Sequence, residues 1–201
     1  MMIPLHQWKE ELEHELNRIL EYWMRLTPDE QHGGFVGKIA SDNTIDPSAP
    51  KGSVLNSRIL YTFAAAYNYQ QNAAYLQVAT RAWKYIEAHF IDPAFGGVYW
   101  SVDHLGQPLD TKKQVYAIAF AIYAIAEYYK ATQDAAVLQT ALGLCKALEQ
   151  HAYDSKHHGY IEALGREWND IADLRLSSKD ANEKKIDEHP PACFGGIHQP
   201  I

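Results

Sequence analysis

An internal repeat restricts the fold of this chain more than any other feature of its sequence. Three glycine-led, aromatic-rich segments share one pattern: HGGFVGKIASDNTID from His32, FGGVYWSVDHLGQPLD from Phe95 and HHGYIEALGREWND from His157. Their key glycines, Gly34, Gly97 and Gly159, lie 63 and 62 residues apart. A constant spacing of this size indicates stacked units of supersecondary structure.

Each repeat segment is predicted to form a short β-hairpin, and two kinds of helix are predicted around the hairpins. In the second segment, Val98, Tyr99 and Trp100 precede turn residues at 103–106. Ranges 5–24, 75–90 and 137–148 carry apolar residues along one face at helical spacing, which is typical of outer helices. Ranges 54–69 and 115–129 are apolar nearly all the way round, which is typical of inner helices enclosed by neighbours.

The order of these elements predicts a ring of helices. Outer helix, hairpin and inner helix occur twice, and a third outer helix and hairpin follow. Alternating inner and outer helices of this kind close into an all-α toroid with short β-hairpins at one end, of which about half is present. A third inner helix is expected near residue 185. The tail forbids it, because five helix-breaking residues follow: Pro190, Pro191, Gly195, Gly196 and Pro200.

Composition excludes several classes of partner. With 25 acidic and 18 basic residues the net charge is −7, so we expect neither nucleic acid nor a membrane as partner, and a small neutral ligand fits better. The 13 Tyr and 5 Trp suit stacking on sugars. The cysteines, Cys145 and Cys193, form no disulfide framework, and no secretion signal or membrane span is visible. We therefore expect a cytoplasmic protein.

Three long stretches resemble one enzyme family. They are KGSVLNSRILYTFAAAY from Lys51, GGVYWSVDHLGQPLDTKKQVYAIAFAIYAIAEYY from Gly96 and HGYIEALGREWNDIADLRLSSKDANEKK from His158. Together they are similar to the N-terminal half of the cellobiose 2-epimerases, within the N-acylglucosamine 2-epimerase superfamily, over residues 5–185. The resemblance implies an (α/α)6 barrel about twice as long as this chain. It also implies epimerisation at C2 of the reducing-end sugar of β-1,4-linked disaccharides such as cellobiose and lactose, without metal or other cofactor.

The last sixteen residues depart from this resemblance. They read IDEHPPACFGGIHQPI, where the family continues SMNTHLHVLEAYTNLY, an inner helix with a catalytic histidine. With suitable synonymous codons, removal of one A at Lys185 converts the observed stretch into KSMNTHLHVLEAYTNL. The preceding residues, Glu183 to Lys185, can be encoded GAA AAA AAA, which is prone to gaining a base. We therefore expect residues 1–185 to be half of the barrel and 186–201 to be a frameshifted, disordered tail.

Four residues are candidates for contact with the sugar. Arg58 lies among apolar residues of an inner helix, where an unpaired cation is costly, so we expect it to face the pocket. The resemblance gives Arg58 contact with the enediolate intermediate, and it gives Tyr116 and Asp180 substrate contacts. The alternatives are core packing for Tyr116 and a helix cap or loop position for Asp180. Trp100 either stacks on sugar or packs within its hairpin.

The proton-transfer groups implied by the family are absent from this chain. The first catalytic histidine of the family would fall at position 192, where this chain has Ala192. Cys193, His189 and His198 could suggest a metal site, but in a shifted, proline-rich tail we assign none. We therefore expect an epimerase by family whose present chain is truncated and inactive, and which associates with itself through exposed apolar faces. The alternatives are a non-catalytic carbohydrate-binding fragment and an N-acylglucosamine 2-epimerase-like activity on a monosaccharide.

Overall fold

The computed structural model describes residues 5–176 and 186–187, and it contains the five predicted helices. These are α1 (Leu5–Leu26), α2 (Ser53–Gln70), α3 (Ala73–Tyr85), α4 (Val115–Thr132) and α5 (Ala135–His151). A π-helical turn at Ile86–Phe90 extends α3, so the predicted helix over 75–90 is confirmed with an altered last turn. Helices α1, α3 and α5 are the outer helices, and α2 and α4 are the inner ones.

The strands are short, and all their pairs are antiparallel. They are β1 (Lys38–Ile39), β2 (Ile45–Asp46), β3 (Lys51–Gly52), β4 (Ser101–Val102), β5 (Pro108–Asp110), β6 (Lys113–Gln114), β7 (Tyr153–Asp154), β8 (Gly159–Ile161), β9 (Ala163–Leu164) and β10 (Ile186–Asp187). The hairpins predicted in the first two segments are confirmed as β1–β2 and β4–β5. The hairpin predicted within the third segment is wrong, because β8 pairs with β7, which precedes that segment, and β9 pairs with β6. In the second hairpin the strand begins one residue after Trp100, and Val98 instead bridges to Ile91.

Inner and outer helices are joined by the same tight connection in both complete repeats. Gln71 and Gln133 end α2 and α4 in the left-handed conformation, with φ of 55° and 54°. The next residues, Asn72 and Asp134, cap α3 and α5 by accepting hydrogen bonds from the backbone amides two residues further on. A side-chain cap satisfies an amide that the helix itself cannot. The chain therefore reverses within two residues, and each inner helix is followed by an antiparallel outer helix.

The core lies where the two inner helices meet and where α3 covers them. Leu60 and Phe63 of α2, and Ile118 and Ile122 of α4, are fully buried. Each fully buried side chain of this size contributes about 1.5–3 kcal/mol relative to an exposed one. The predicted enclosure of the inner helices therefore holds along the seam that α2 and α4 share.

One buried ion pair joins the end of α1 to the start of α2, and another joins the end of the π-helical turn after α3 to the start of α4. Asp29, three residues after α1, accepts a 2.7 Å hydrogen bond from Nζ of Lys51, which lies just before α2. Asp92, two residues after the π-helical turn, accepts one of 2.9 Å from Nζ of Lys113, just before α4. Both lysines are almost completely buried. We call these the first and second joints.

The joints hold their carboxylates in the charged form. Burial acts to raise the pKa of Asp29, but hydrogen bonds from Lys51 and from the backbone amides of His32 and Gln31 outweigh it and lower the pKa to about 2. Burial likewise opposes ionisation of Asp92, and hydrogen bonds from Arg166 and Lys113 lower its pKa well below the usual range. Each lysine also lies over a tyrosine ring, Lys51 over Tyr85 at 4.8 Å and Lys113 over Tyr99 at 4.9 Å.

The last two described residues form a strand that pairs with the third repeat. Strand β10 pairs with β8, Ile186 opposite Ile161 and Asp187 opposite Tyr160. The rest of the expected tail, and the candidate Asp180, lie outside the described residues. Within the described part of the chain, no helix has the length and apolar character needed to cross a bilayer.

Candidate functional site

Arg58 lies on the second turn of α2, beside a cavity of about 310 Å³ between α1 and α2. Ile19 and Trp23 of α1, and Leu55 and Phe63 of α2, line this cavity. The guanidinium is exposed, and it makes no ion pair with any described residue. The sequence argument from the cost of a buried cation therefore does not apply within this chain, because no neighbour encloses that side of α2.

Tyr116 lies on the first turn of α4, and 44% of its surface is exposed. Its ring centroid lies 4.9 Å from that of Phe120, and together with Ala119 and Tyr123 the two rings line an apolar cavity of about 420 Å³. Tyr116 is therefore not part of the buried core among the described residues, and its contact with a sugar stays a prediction.

Trp100 packs where the second hairpin meets the first inner helix, and its stacking on a sugar stays a prediction. Its carbonyl accepts hydrogen bonds from Ser53 N at 3.1 Å and Ser53 Oγ at 3.0 Å, so its main chain anchors the first turn of α2. Its ring is half-buried against the core, and Nζ of Lys112 lies 5.5 Å from the ring centroid. Because the ammonium covers part of the indole surface, only the remainder is open to a sugar.

Lys112 and Gln114 are neighbours of this site that sequence reasoning missed. Lys112 Nζ donates to the carbonyl of Arg175 at 2.9 Å, and Gln114 Nε2 donates to the carbonyls of Leu174 at 3.2 Å and Arg175 at 2.9 Å. These bonds attach the segment before Ser177 to the start of α4. In the sequence, the only indication of these contacts was a pair of polar residues just before an inner helix.

A stacked pair of tyrosines lies one turn deeper than Arg58 and was also missed. The ring centroids of Tyr61 on α2 and Tyr123 on α4 are 3.9 Å apart, with an angle of 20° between the rings. Burial and a hydrogen bond with Tyr61 raise the pKa of Tyr123. The two residues are 62 positions apart, so the repeat itself could have predicted that they occupy equivalent places.

The arrangement offers a cation, a phenol and aromatic rings along the inner helices. Such groups can bind a neutral polyhydroxy compound, and the cation can stabilise negative charge that develops on a bound oxygen. No histidine lines the cavities at Arg58 and Tyr116 within the described residues. His89 and His151 lie elsewhere, His89 against the carbonyl of Gly106 and His151 stacked on Trp168.

A larger cavity, of about 550 Å³, lies away from these residues on the outer surface of α3. Its guanidinium, Arg81, already donates to the carbonyls of Gly34 and Asp29 and to the carboxylate of Glu30. Its carboxylate, Asp29, is held in the first joint. Since Arg81 and Asp29 are already paired within the protein, we do not take this cavity as the candidate site.

Comparison with known proteins agrees with the geometry. The model of the N-acylglucosamine 2-epimerase family matches residues 33–179. A cellobiose 2-epimerase of Bacteroides fragilis is 51% identical over 178 residues, covering 88% of this chain and 45% of that protein. A cellobiose 2-epimerase of Dictyoglomus turgidum is 38% identical, covering 82% of this chain and 42% of its own length.

Solved structures give the same result for the fold. The structure of cellobiose 2-epimerase from Spirochaeta thermophila superposes with a TM-score of 0.83 at 36% identity, covering 90% of this chain and 45% of that one. These structural neighbours have an (α/α)6 fold, of which this chain supplies about half. The chain likewise spans about half the length of the curated relatives it matches. The chain belongs to the N-acylglucosamine 2-epimerase family, and its relatives within that family include cellobiose 2-epimerases.

Proposed function

We propose that the complete protein is a sugar epimerase that interconverts cellobiose and 4-O-β-D-glucopyranosyl-D-mannose, and that also accepts lactose. The observation that carries this proposal is the 51% identity with the Bacteroides fragilis cellobiose 2-epimerase over 88% of this chain. The exposed cation and tyrosine on the inner helices support it, since a neutral disaccharide needs hydrogen-bond donors and ring surfaces rather than a charged groove.

The reaction begins with the open-chain sugar, whose C2 proton is acidic because it adjoins the aldehyde. A base removes the C2 proton, and the electron pair of the broken C2–H bond forms the C1–C2 double bond of an enediolate. Negative charge moves to O1. A proton then returns to the opposite face of C2. Arg58 contacts O1 and O2 and stabilises that charge, which is the role its exposed guanidinium suits.

Three further residues hold the sugar in this proposal. Tyr116 contributes its exposed phenol, and Trp100 contributes the indole surface that Lys112 leaves open. Asp180 contributes a carboxylate as a hydrogen-bond acceptor for sugar hydroxyls. Their positions before or near the start of inner helices support this assignment for Tyr116 and Trp100.

The groups that move the C2 proton come from residues that this sequence does not contain. Position 192 is Ala192, and if its codon is GCA the reading frame one nucleotide away encodes histidine there. We therefore propose that residues 1–185 are half of the barrel, that 186–201 are the product of a frameshift, and that the chain as given has no epimerase activity. We place it in the cytoplasm, supported by its lack of a disulfide framework, and expect isolated copies to associate through their apolar faces.

A second candidate is a carbohydrate-binding fragment without catalysis. Arg58, Tyr116 and Trp100 are present without a histidine beside them in the described residues, and this combination favours binding over turnover. Saturation-transfer NMR with cellobiose would identify such binding. It should weaken in Arg58→Ala and Tyr116→Ala and persist in a Lys130→Met control, whose side chain pairs with Glu127 away from the site.

Incubation with cellobiose in D₂O tests the proposed chemistry. The 201-residue chain should give neither the mannose-containing epimer nor deuterium at C2, because each general acid–base group contributes about 10²–10⁴ in rate. Resequencing codons 183–187 and deleting one A from that run should yield a longer protein that produces both. Exchange of the C2 proton by the 201-residue chain itself, above a buffer control, would contradict the proposed inactivity.

A further inference from the structure

The second repeat shows what an outer helix needs as neighbours. Helix α3 packs against α2, where the Tyr75 ring lies 6.1 Å from that of Phe63, and against α4, where Thr80 Oγ1 lies 2.9 Å from the hydroxyl of Tyr128. Its large apolar residues are consequently buried, Trp83 among them. An outer helix of this fold therefore occupies the groove between two inner helices.

Helix α1 has only one of these two neighbours. It bonds to the far end of α2 through Asn17 with Gln70, and through Glu13 with Tyr69. Its other apolar residues form a stripe at helical spacing with no cover. They are Leu5, Trp8, Leu12 and Ile19, which are 89%, 48%, 64% and 42% exposed. The open cavity beside Arg58 continues this stripe onto α2. We call this surface the first end face.

The opposite end of the half ring has a second surface that the described residues leave partly uncovered. Tyr116, Phe120 and Tyr123 of α4 line the apolar cavity of about 420 Å³, and two of these tyrosines are more than a third exposed. Beside it, Leu138 and Leu142 of α5 are only half-buried. We call this the second end face. Together the end faces expose far more contiguous apolar side chain than scattered surface residues would.

We propose that these two end faces are one divided docking surface for the remaining half of a cellobiose 2-epimerase barrel, and that they bind it even when it is supplied as a separate chain. In a closed ring of six helix pairs the first pair adjoins the sixth, so both edges of any half must meet the other half. The chain superposes on 45% of the Spirochaeta thermophila enzyme with a TM-score of 0.83, so its edges already have the shape that a closed ring uses.

The relatives favour the other half over a second copy as the occupant. This chain matches 45% of the Bacteroides fragilis enzyme and 45% of the Spirochaeta thermophila structure, so in both relatives the larger remainder of the same chain adjoins the part that this chain matches. The proposal rests on the proposed function only for the identity of the partner, and not for activity.

Co-expression tests the docking. The tagged 201-residue chain is produced together with the untagged part of the Bacteroides fragilis enzyme that it does not match, and capture on the tag is quantified. The wild-type chain should retain the partner in equal amounts. The pair Leu12→Glu with Ile19→Glu on the first end face, and Tyr123→Glu on the second, should each reduce retention about tenfold or more.

The matched control is Gln7→Glu with His14→Glu, which adds the same two charges as the first pair, but to exposed polar positions of α1, and should retain the partner as the wild type does. Equal retention by wild type and both end-face variants, no retention by any form, or self-association that excludes the partner would overturn the docking proposal. Activity is read separately on the captured pair. Retention without epimerisation of cellobiose would leave the docking intact and count against the proposed function.

Discussion

Helices α1 and α3 are the same element in two successive repeats, yet the molecule covers only one of them. Both carry apolar residues on one face, and both are followed by a hairpin and a buried Asp–Lys joint. At positions 63 residues apart, Tyr75 of α3 is 6% exposed and Leu12 of α1 is 64% exposed. Trp83 of α3 is 6% exposed, whereas Trp8, in the first turn of α1 before the part that matches α3, is 48% exposed. The sequences of the two helices do not account for this difference. It arises because α3 contacts two inner helices, whereas α1 contacts one among the described residues. The apolar pattern of a helix therefore indicates which faces the complete fold covers, and not which faces are covered in this chain.

The most direct way to break this comparison is to truncate the two tryptophans. Trp83→Ala should lower the free energy of unfolding by about 3–5 kcal/mol, because it leaves a cavity beside Tyr128. Trp8→Ala should change it by less than about 0.5 kcal/mol in the isolated chain. Urea unfolding followed by circular dichroism at low protein concentration measures both. Similar losses for the two variants would mean that α1 is covered in solution.

The joints should contribute to the free energy of unfolding in both repeats, although only one of the two outer helices is covered. Lys51→Met should cost about 3–5 kcal/mol, because it leaves the buried Asp29 without its lysine, whereas Lys113→Met should cost less, because Arg166 still donates to Asp92. Lys130→Met is the control, since its pair with Glu127 is exposed and such pairs contribute at most about 1 kcal/mol. A first joint much weaker than the second in the same urea experiment would show that the missing neighbour of α1 also loosens its connection to α2.

Lowering the pH should also reveal how much the joints contribute to the free energy of unfolding. The folded pKa of Asp29, about 2, lies below its ordinary value of 3.8, so its stabilisation is complete above that ordinary value and is lost as the pH falls towards 2. The loss should amount to about 2 kcal/mol. Asp92 acts in the same direction. Urea midpoints at pH 5, 3 and 2 measure the trend, and Asp29→Asn should flatten part of it. An unchanged slope in that variant would exclude the first joint as a source of acid sensitivity.

The smallest effect on stability is expected at the uncovered stripe. Leu12→Gln combined with Ile19→Gln should leave the free energy of unfolding within about 0.5 kcal/mol of the parent, since both side chains are largely exposed. The double variant should nevertheless associate less, which sedimentation velocity would detect. His14→Gln, on the polar side of the helix, should behave as the parent. A parent chain that is already monomeric at micromolar concentration would remove the basis for this prediction.

The sequence predicted the helices and the first two hairpins because both depend on local spacing and on the repeat, but the third segment pairs with strands outside it. It did not predict that Arg58 would be exposed, since periodicity indicates which residues share a helix face and not whether a neighbour covers that face. The joints also escaped prediction. Asp29 and Lys51 are 22 residues apart, and only the folded hairpin brings them within 2.7 Å. Tyr61 and Tyr123 could have been paired from the repeat, but their stacking required the helix seam.

The acid of each joint has a counterpart in the third repeat. Asp154 accepts hydrogen bonds from the amides of Lys156 and His157, the same turn that Asp29 and Asp92 form. Where those residues hold a lysine, Asp154 Oδ2 meets Nδ1 of His157 at 2.9 Å. The lysines of the two joints come from 22 and 21 residues further along the chain, whereas the histidine that meets Asp154 lies three residues away in the same turn. Among the described residues, the third acid therefore closes its own turn and does not tie a hairpin to a following inner helix.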